Sequence, residues 1–183
     1  VIDTQPVVES FFDVMYEYDV NASDSDGDPL TYTLTQNPEN MTIDNGTGLI
    51  QWTPGAIGDF DVNVSVTDGT DTVYQDYVLT VYECENGATR ACSLQDGVCS
   101  GSVETCTGNS WPGCDYAAYS PDYEATEVTC DGLDNDCDGD TDEGVKNTYY
   151  QDSDSDTYGN AGVSQEACSA PTGYVSDNTD CND

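Results

Sequence analysis

Apolar side chains recur at every second position through much of the first 83 residues. Phe60, Val62, Val64 and Val66 alternate with Asp61, Asn63, Ser65 and Thr67, so one side of that stretch faces a core and the other faces water. The same period of two runs through Tyr16, Tyr18 and Val20, through Leu30, Tyr32 and Leu34, and through Tyr77, Leu79 and Val81. Each predicts a short, half-buried strand. Between them lie turn-forming clusters at Asp24–Pro29, Asn45–Gly48, Pro54–Gly58 and Asp68–Thr70. Short strands at this spacing predict an antiparallel sandwich.

The alternation stops near Glu83, where Cys, Gly and Asp take over. Nine cysteines fall between Cys84 and Cys181, in sequence poor in aliphatic residues. That combination marks a disulfide-stapled segment made in an oxidising compartment. A zinc site is disfavoured, because the closest cysteines have six residues between them and histidine is absent. The odd count leaves one thiol over, to stay free, to pair with another chain, or to pair with sequence beyond Asp183.

Charge narrows the partners. Thirty-seven acidic residues against two basic ones give a formal charge of -35, so the chain repels itself unless cations neutralise it. Only Arg90 and Lys146 are basic, which excludes an electrostatic grip on nucleic acid or on anionic lipid. No run of about 18 apolar residues exists to insert into a membrane. Val1–Val8 has no basic start or apolar stretch of a signal peptide. The expectation is a soluble chain, already trimmed if secreted.

Three segments place Asp at alternate positions: Asp24, Asp26, Asp28; Asp134, Asp136, Asp138, Asp140, Asp142; and Asp152, Asp154, Asp156. Carboxylates at positions one, three and five of a tight loop converge on one cation, and hard oxygen ligands select calcium. The middle ladder has Gly139 at position six but Val145 at position twelve. Glu143 is the expected substitute for the missing bidentate carboxylate. The last ladder is expected to add the Tyr158 carbonyl and to be closed by Asp177 or Asp180. Local bridges Cys130–Cys137 and Cys168–Cys181 are expected to hold these two loops. Two or more calcium ions would then supply folding free energy that a core normally gives. Asp24, Asp26 and Asp28 suit an ordinary solvated turn equally well.

Tyr18–Tyr32, Met41-Thr-Ile-Asp44, Gly48-Leu-Ile-Gln-Trp-Thr-Pro54 and Val64-Ser-Val-Thr-Asp-Gly69 resemble the cadherin-like, immunoglobulin-type domains of bacterial and archaeal surface proteins. The likeness covers residues 2–83 and implies a spacer or adhesive module without catalytic activity. The stretch Cys130–Gly144, followed by Tyr150–Gly159, Cys168, Gly173-Tyr-Val175 and Asp180–Asp183, is similar to the metal-binding repeat of MopE-like bacterial surface proteins. Residues 84 to about 123, with Trp111-Pro-Gly-Cys114, look like the cysteine-rich lead-in to that repeat, and Asp183 falls where a next copy would begin. The expected fold is all-β, an immunoglobulin/cadherin-like antiparallel sandwich (1–83) followed by a disulfide-rich, calcium-stabilised, largely irregular segment. The latter divides into a cysteine-rich part (84–128) and an Asp-rich part (129–183).

Asn-x-Ser/Thr sequons occur at Asn21, Asn40, Asn45 and Asn63, with Asn63 on the outward face of its strand and able to carry a glycan. Catalysis is not expected: histidine is absent, and the paired carboxylates sit in calcium-type loops. The expected role is an extracellular structural protein that self-associates into a fibre, stalk or layer, with Val1–Val8 suited to strand addition on a neighbour. The alternative is a calcium-dependent adhesive or spacer module that binds cell-surface glycans or proteins.

Overall fold

The structure, a computed structural model, describes residues 1–180. Seven strands build the N-terminal sandwich: β1 (Glu9–Phe11), β2 (Tyr16–Asp19), β3 (Thr31–Gln36), β4 (Thr42–Ile43), β5 (Leu49–Trp52), β6 (Gly58–Thr67) and β7 (Thr72–Tyr82). One sheet has the order β1-β7-β6-β3 and the other β2-β5-β4. Pairing is antiparallel except between β1 and β7. The alternating residues meet between the sheets: Tyr16, Tyr18, Val20, Tyr32, Val62, Val64, Val66, Tyr77, Leu79 and Val81 are all buried, joined by Met41, Ile50 and Trp52. Trp52 packs edge-on against Phe60 at 5.0 Å and its indole N–H donates to the Glu39 carbonyl, which makes it a core residue.

Turn chemistry sets the strand order locally. Asp44 Oδ1 accepts from the backbone N–H groups of Gly46 and Thr47 at 2.9 and 2.8 Å, and these bonds hold its carboxyl below the usual range. Gly48 follows at φ 82°, where a Cβ would lie 2.3 Å from the Val20 carbonyl. Only glycine lets β5 approach β2 there.

The extended start pairs inside its own domain, which corrects the expectation that it is available to a neighbour. Ser23 N donates to Val1 O, Asp3 N to Asn21 O and Thr80 N to Val8 O, and β1 holds its register on β7. Those backbone groups are therefore partnered within the chain.

The chain divides into two compact units, Val1–Thr89 with Thr105–Pro112, and Arg90–Glu104 with Gly113 onwards. Residues Thr105–Pro112 join the first unit through the Cys84–Cys106 disulfide and the Gly87 N to Cys106 O hydrogen bond. A short pairing of β8 (Thr89–Ala91) with β9 (Val103–Thr105) follows the sandwich.

The second unit holds a 3-10 turn (Gly97–Cys99), a one-turn helix α1 (Tyr116–Tyr119) and strands β10 (Asn147–Gln151), β11 (Asn160–Ala167) and β12 (Tyr174–Val175). The strands form an antiparallel sheet of order β11-β10-β12. Asp115 caps α1 by accepting from Ala118 N. Arg90 Nε donates to Glu104 Oε1 at 2.6 Å, while Glu104 Oε2 accepts from Gly113 N.

Disulfides join Cys84 to Cys106, Cys92 to Cys114, Cys99 to Cys137 and Cys130 to Cys168. The two expected local staples are therefore corrected. Cys137 bonds Cys99 and Cys130 bonds Cys168, each across 38 residues, so neither ladder is closed by a bridge of its own. Cys181, the expected partner of Cys168, lies outside the described residues. Each bridge overlaps the next along the chain. No helix among the described residues is long and apolar enough to cross a membrane.

Candidate metal centre

The ladders begin as turns. A short carboxylate accepts a backbone N–H two or more residues on, which curls the chain and leaves a second oxygen free for other partners. Asp138 Oδ1 accepts from Asp140 N at 2.9 Å, Asp136 Oδ1 from Asp138 N at 3.3 Å and Asp134 Oδ2 from Gly139 N at 3.1 Å. The last ladder also curls through such bonds: Asp152 takes Asp156 N on one oxygen and Thr157 N on the other, Asp154 takes Asp156 N, and Asp156 takes Tyr158 N. Gly139, at φ 102°, makes the sharp bend that the spacing predicted.

Among the described residues, three groups of carboxylate oxygens lie within 4.8 Å of one another: Glu127, Asp134 and Asp136; Asp136, Asp138 and Glu143; and Asp152, Asp154 and Asp156. Glu143 thus stands with Asp136 and Asp138 of the middle ladder. Glu127, which the spacing did not point to, joins from outside it. Asp140 and Asp142 belong to neither ladder group. Asp142 is buried and turned to other work, its Oδ1 accepting from Asp131 N and Gly132 N at 2.8 and 3.0 Å. It lies beside Cys130 and Cys168, whose sulfurs are spent on their disulfide.

Burial separates the first group from an ordinary solvated turn. Glu127 and Asp134 are only 8% and 7% exposed. One oxygen of each is tied to backbone, Glu127 Oε1 to Asn135 N at 2.6 Å and Asp134 Oδ2 to Gly139 N. The other oxygens, Glu127 Oε2 and Asp134 Oδ1, are buried with no hydrogen-bond partner, as are Asn135 Oδ1 and Glu143 Oε2. Buried carboxylate oxygens are costly unless a proton or a cation meets them. On Glu143 the largest single effect, its own backbone N–H, lowers the pKa. Burial and the charges of Asp136, Asp138 and Glu127 together outweigh it and hold the carboxyl above its usual range. The donor set, all hard oxygen without histidine or free thiol, fits calcium.

The loop is braced from a distant part of the chain. Val98 N donates to the Asp134 carbonyl at 3.1 Å, and Cys99 bonds Cys137. At Gly97 a Cβ would stand 2.1 Å from the Asp134 carbonyl and 2.6 Å from its Cβ and Cγ. Glycine is required there so that the backbone can press on the ligand loop.

The remaining expected ligands are placed as follows. Tyr158 follows Asp156 with its ring exposed. Asp177 Oδ1 accepts from Thr179 N and Oγ1, which lowers its pKa, and it is not grouped with Asp152, Asp154 and Asp156. Asp180 N donates to Gly159 O at 3.2 Å, so strand pairing brings that segment beside the end of the ladder. Asp24 Oδ1 accepts from Asp26 N and Asp28 N, and among the described residues no group of convergent carboxylates includes these three. Of the sequons, Asn21, Asn40 and Asn45 are exposed. Asn63 faces outward but is half-buried, its Nδ2 donating to Asp76 Oδ1 and its Oδ1 accepting from Thr35 Oγ1.

The family model described as "Putative Ig domain" (He_PIG) matches residues 2–82. That span is an immunoglobulin-like domain. The matched span coincides with the two-sheet core from Ile2 to Tyr82. The chain matches no curated protein. Solved structures with similar backbones include human protocadherin-24 EC1-2, at 21% identity and TM-score 0.34, over 45% of this chain and 42% of that one. Another is the endo-fucoidan hydrolase MfFcnA4 of glycoside hydrolase family 107, at 22% identity and TM-score 0.39, over 49% of this chain and 15% of that one. The chain spans 12% to 42% of the length of the structures it resembles.

Proposed function

We propose that this chain is a calcium-stabilised extracellular structural protein, a subunit or repeat of a surface fibre, stalk or layer, with no catalytic role. The observation that carries the reading is the pair of buried, partnerless oxygens on Glu127 and Asp134 beside Asp136. They sit in a unit whose buried side chains include no aliphatic or aromatic residue among those described. Four disulfides and an immunoglobulin-like domain fit an oxidising, extracellular setting. Support for self-association comes from strands at sheet edges, β3 in the sandwich and the largely exposed β11 in the second unit, and from a charge of -35 that shared cations would neutralise.

The test is thermal unfolding and particle size of the oxidised chain, with millimolar calcium and with chelator. Chelation is expected to lower the melting temperature and to dissociate large particles. A chain that melts identically in both conditions overturns calcium stabilisation. One that stays monomeric throughout overturns the fibre subunit and leaves the adhesive or spacer reading. The exposed ring of Tyr158, two residues after Asp156, favours that second reading, in which calcium shapes a surface for glycans or proteins. Glycan-array binding that needs calcium and is lost in Tyr158→Ala would establish it.

A further inference from the structure

We propose that the middle ladder is a paired-cation centre in which Asp136 bridges two divalent ions, one held with Glu127 and Asp134, the other with Asp138 and Glu143. The proposal rests on the reading that this ladder binds calcium, and goes beyond it in ion number, ligand set and bridging residue. Two three-residue groups of convergent oxygens share Asp136 alone. A carboxylate has two oxygens and about four lone-pair sites, so one side chain can serve two ions.

The first group is a built site. Glu127 and Asp134 are more than nine-tenths buried, each is fixed through one oxygen by a backbone N–H, and each keeps the other oxygen partnerless. In the second group Glu143 Oε2 is likewise buried and partnerless. Charge favours two ions over one. Five carboxylates converge within the two groups, so one divalent ion leaves three negative charges packed together and two leave one. Calcium accepts six to eight oxygens in flexible geometry, and backbone carbonyls and water complete each shell. A single EF-hand-type loop would instead draw its ligands from the ladder itself. Here Asp140 and Asp142 are in neither group, and Glu127 enters from seven residues before the ladder begins.

The experiment counts bound calcium by equilibrium dialysis and elemental analysis. It uses the oxidised full chain carrying Asp154→Asn, which disables the exposed last ladder. Relative to that parent, Asp136→Asn is expected to lose two ions, and Glu127→Gln and Glu143→Gln one each. Loss of one ion or none in Asp136→Asn overturns the bridge. A parent holding a single ion that all three variants lose overturns the pair and leaves calcium binding standing. A parent that holds no calcium overturns both. Should the ladder variants misfold, energy transfer in the parent decides. Terbium luminescence is expected to shorten sharply on co-loading with neodymium, and an unchanged lifetime overturns the proposal.

Discussion

The two units keep different things away from water. In the sandwich, Ile50, Leu79, Val20, Val64 and their neighbours are wholly buried, and the area they remove from water stabilises the fold at about 25 cal/mol per Å2. In the second unit, among the described residues, the buried positions are Cys92, Cys99, Ser102, Glu104, Glu127, Asp134, Asn135, Cys137, Asp142 and Gly159. Disulfides and polar contacts must do there what apolar burial does in the first unit. A segment built this way tolerates loss of apolar side chains but depends on oxidation.

The sharpest way to break the comparison is to remove the bridge that clamps the ligand loop. Cys99→Ser with Cys137→Ser opens a closure across 38 residues and is expected to cost the second unit about 4 kcal/mol. Hydrogen exchange should quicken in β10 and β11 and stay unchanged in β6 and β7. Equal quickening in the sandwich would show that the units do not draw on separate sources of stability. The converse change is Leu79→Ala, which hollows a site with 0% exposure. It is expected to destabilise the sandwich by about 3 kcal/mol in urea unfolding, with calcium uptake unaltered.

Alkali should also act on the sandwich alone. Tyr16 donates to Val7 O and meets Tyr77 Oη at 3.1 Å. Burial, then the bond to Tyr77, raises the Tyr16 pKa, and burial is the largest influence raising that of Tyr77. Because the folded state holds these protons more tightly, their contribution is fully present below the unfolded tyrosine value of about 10 and is lost as pH rises above it. The decline is about 1.4 kcal/mol per pH unit for each group. Urea midpoints at pH 9 and pH 11 measure it, and a flat profile would contradict the burial of these phenols. The smallest effect reverses sign with calcium. Without the ion, Glu127→Gln relieves repulsion and is expected to stabilise the second unit by about 1 kcal/mol; with calcium it should destabilise by a similar amount. Paired melts in calcium and chelator read the reversal, and a variant of one sign in both conditions argues against a cation at Glu127.

Much of the first unit was legible in the residues. Period-two runs place β2, β3, β6 and β7, and the turn clusters separate them. The short β1 and β4 carry too few residues for any period to show. Some of the candidate centre was legible too, because Asp at alternate positions and glycine at the bend are local chemistry. Glu143 was reached by counting along the loop, whereas Glu127 has no periodic relation to the ladder and gave no signal.

The sequence by itself therefore determined which stretches form strands, where composition turns from apolar to acidic and stapled, and where the carboxylates crowd together. Those properties depend on residues a few positions apart. Only the tertiary structure decided which cysteines pair, that Gly97 and Cys99 brace Asp134 and Cys137, that Asp142 is spent on Asp131 and Gly132, and that Glu127 meets Asp136. Each of these depends on closing a loop between positions whose separation carries no preference of its own. Eight bonded cysteines have 105 pairings compatible with one sequence, and the packing of the folded chain selects among them.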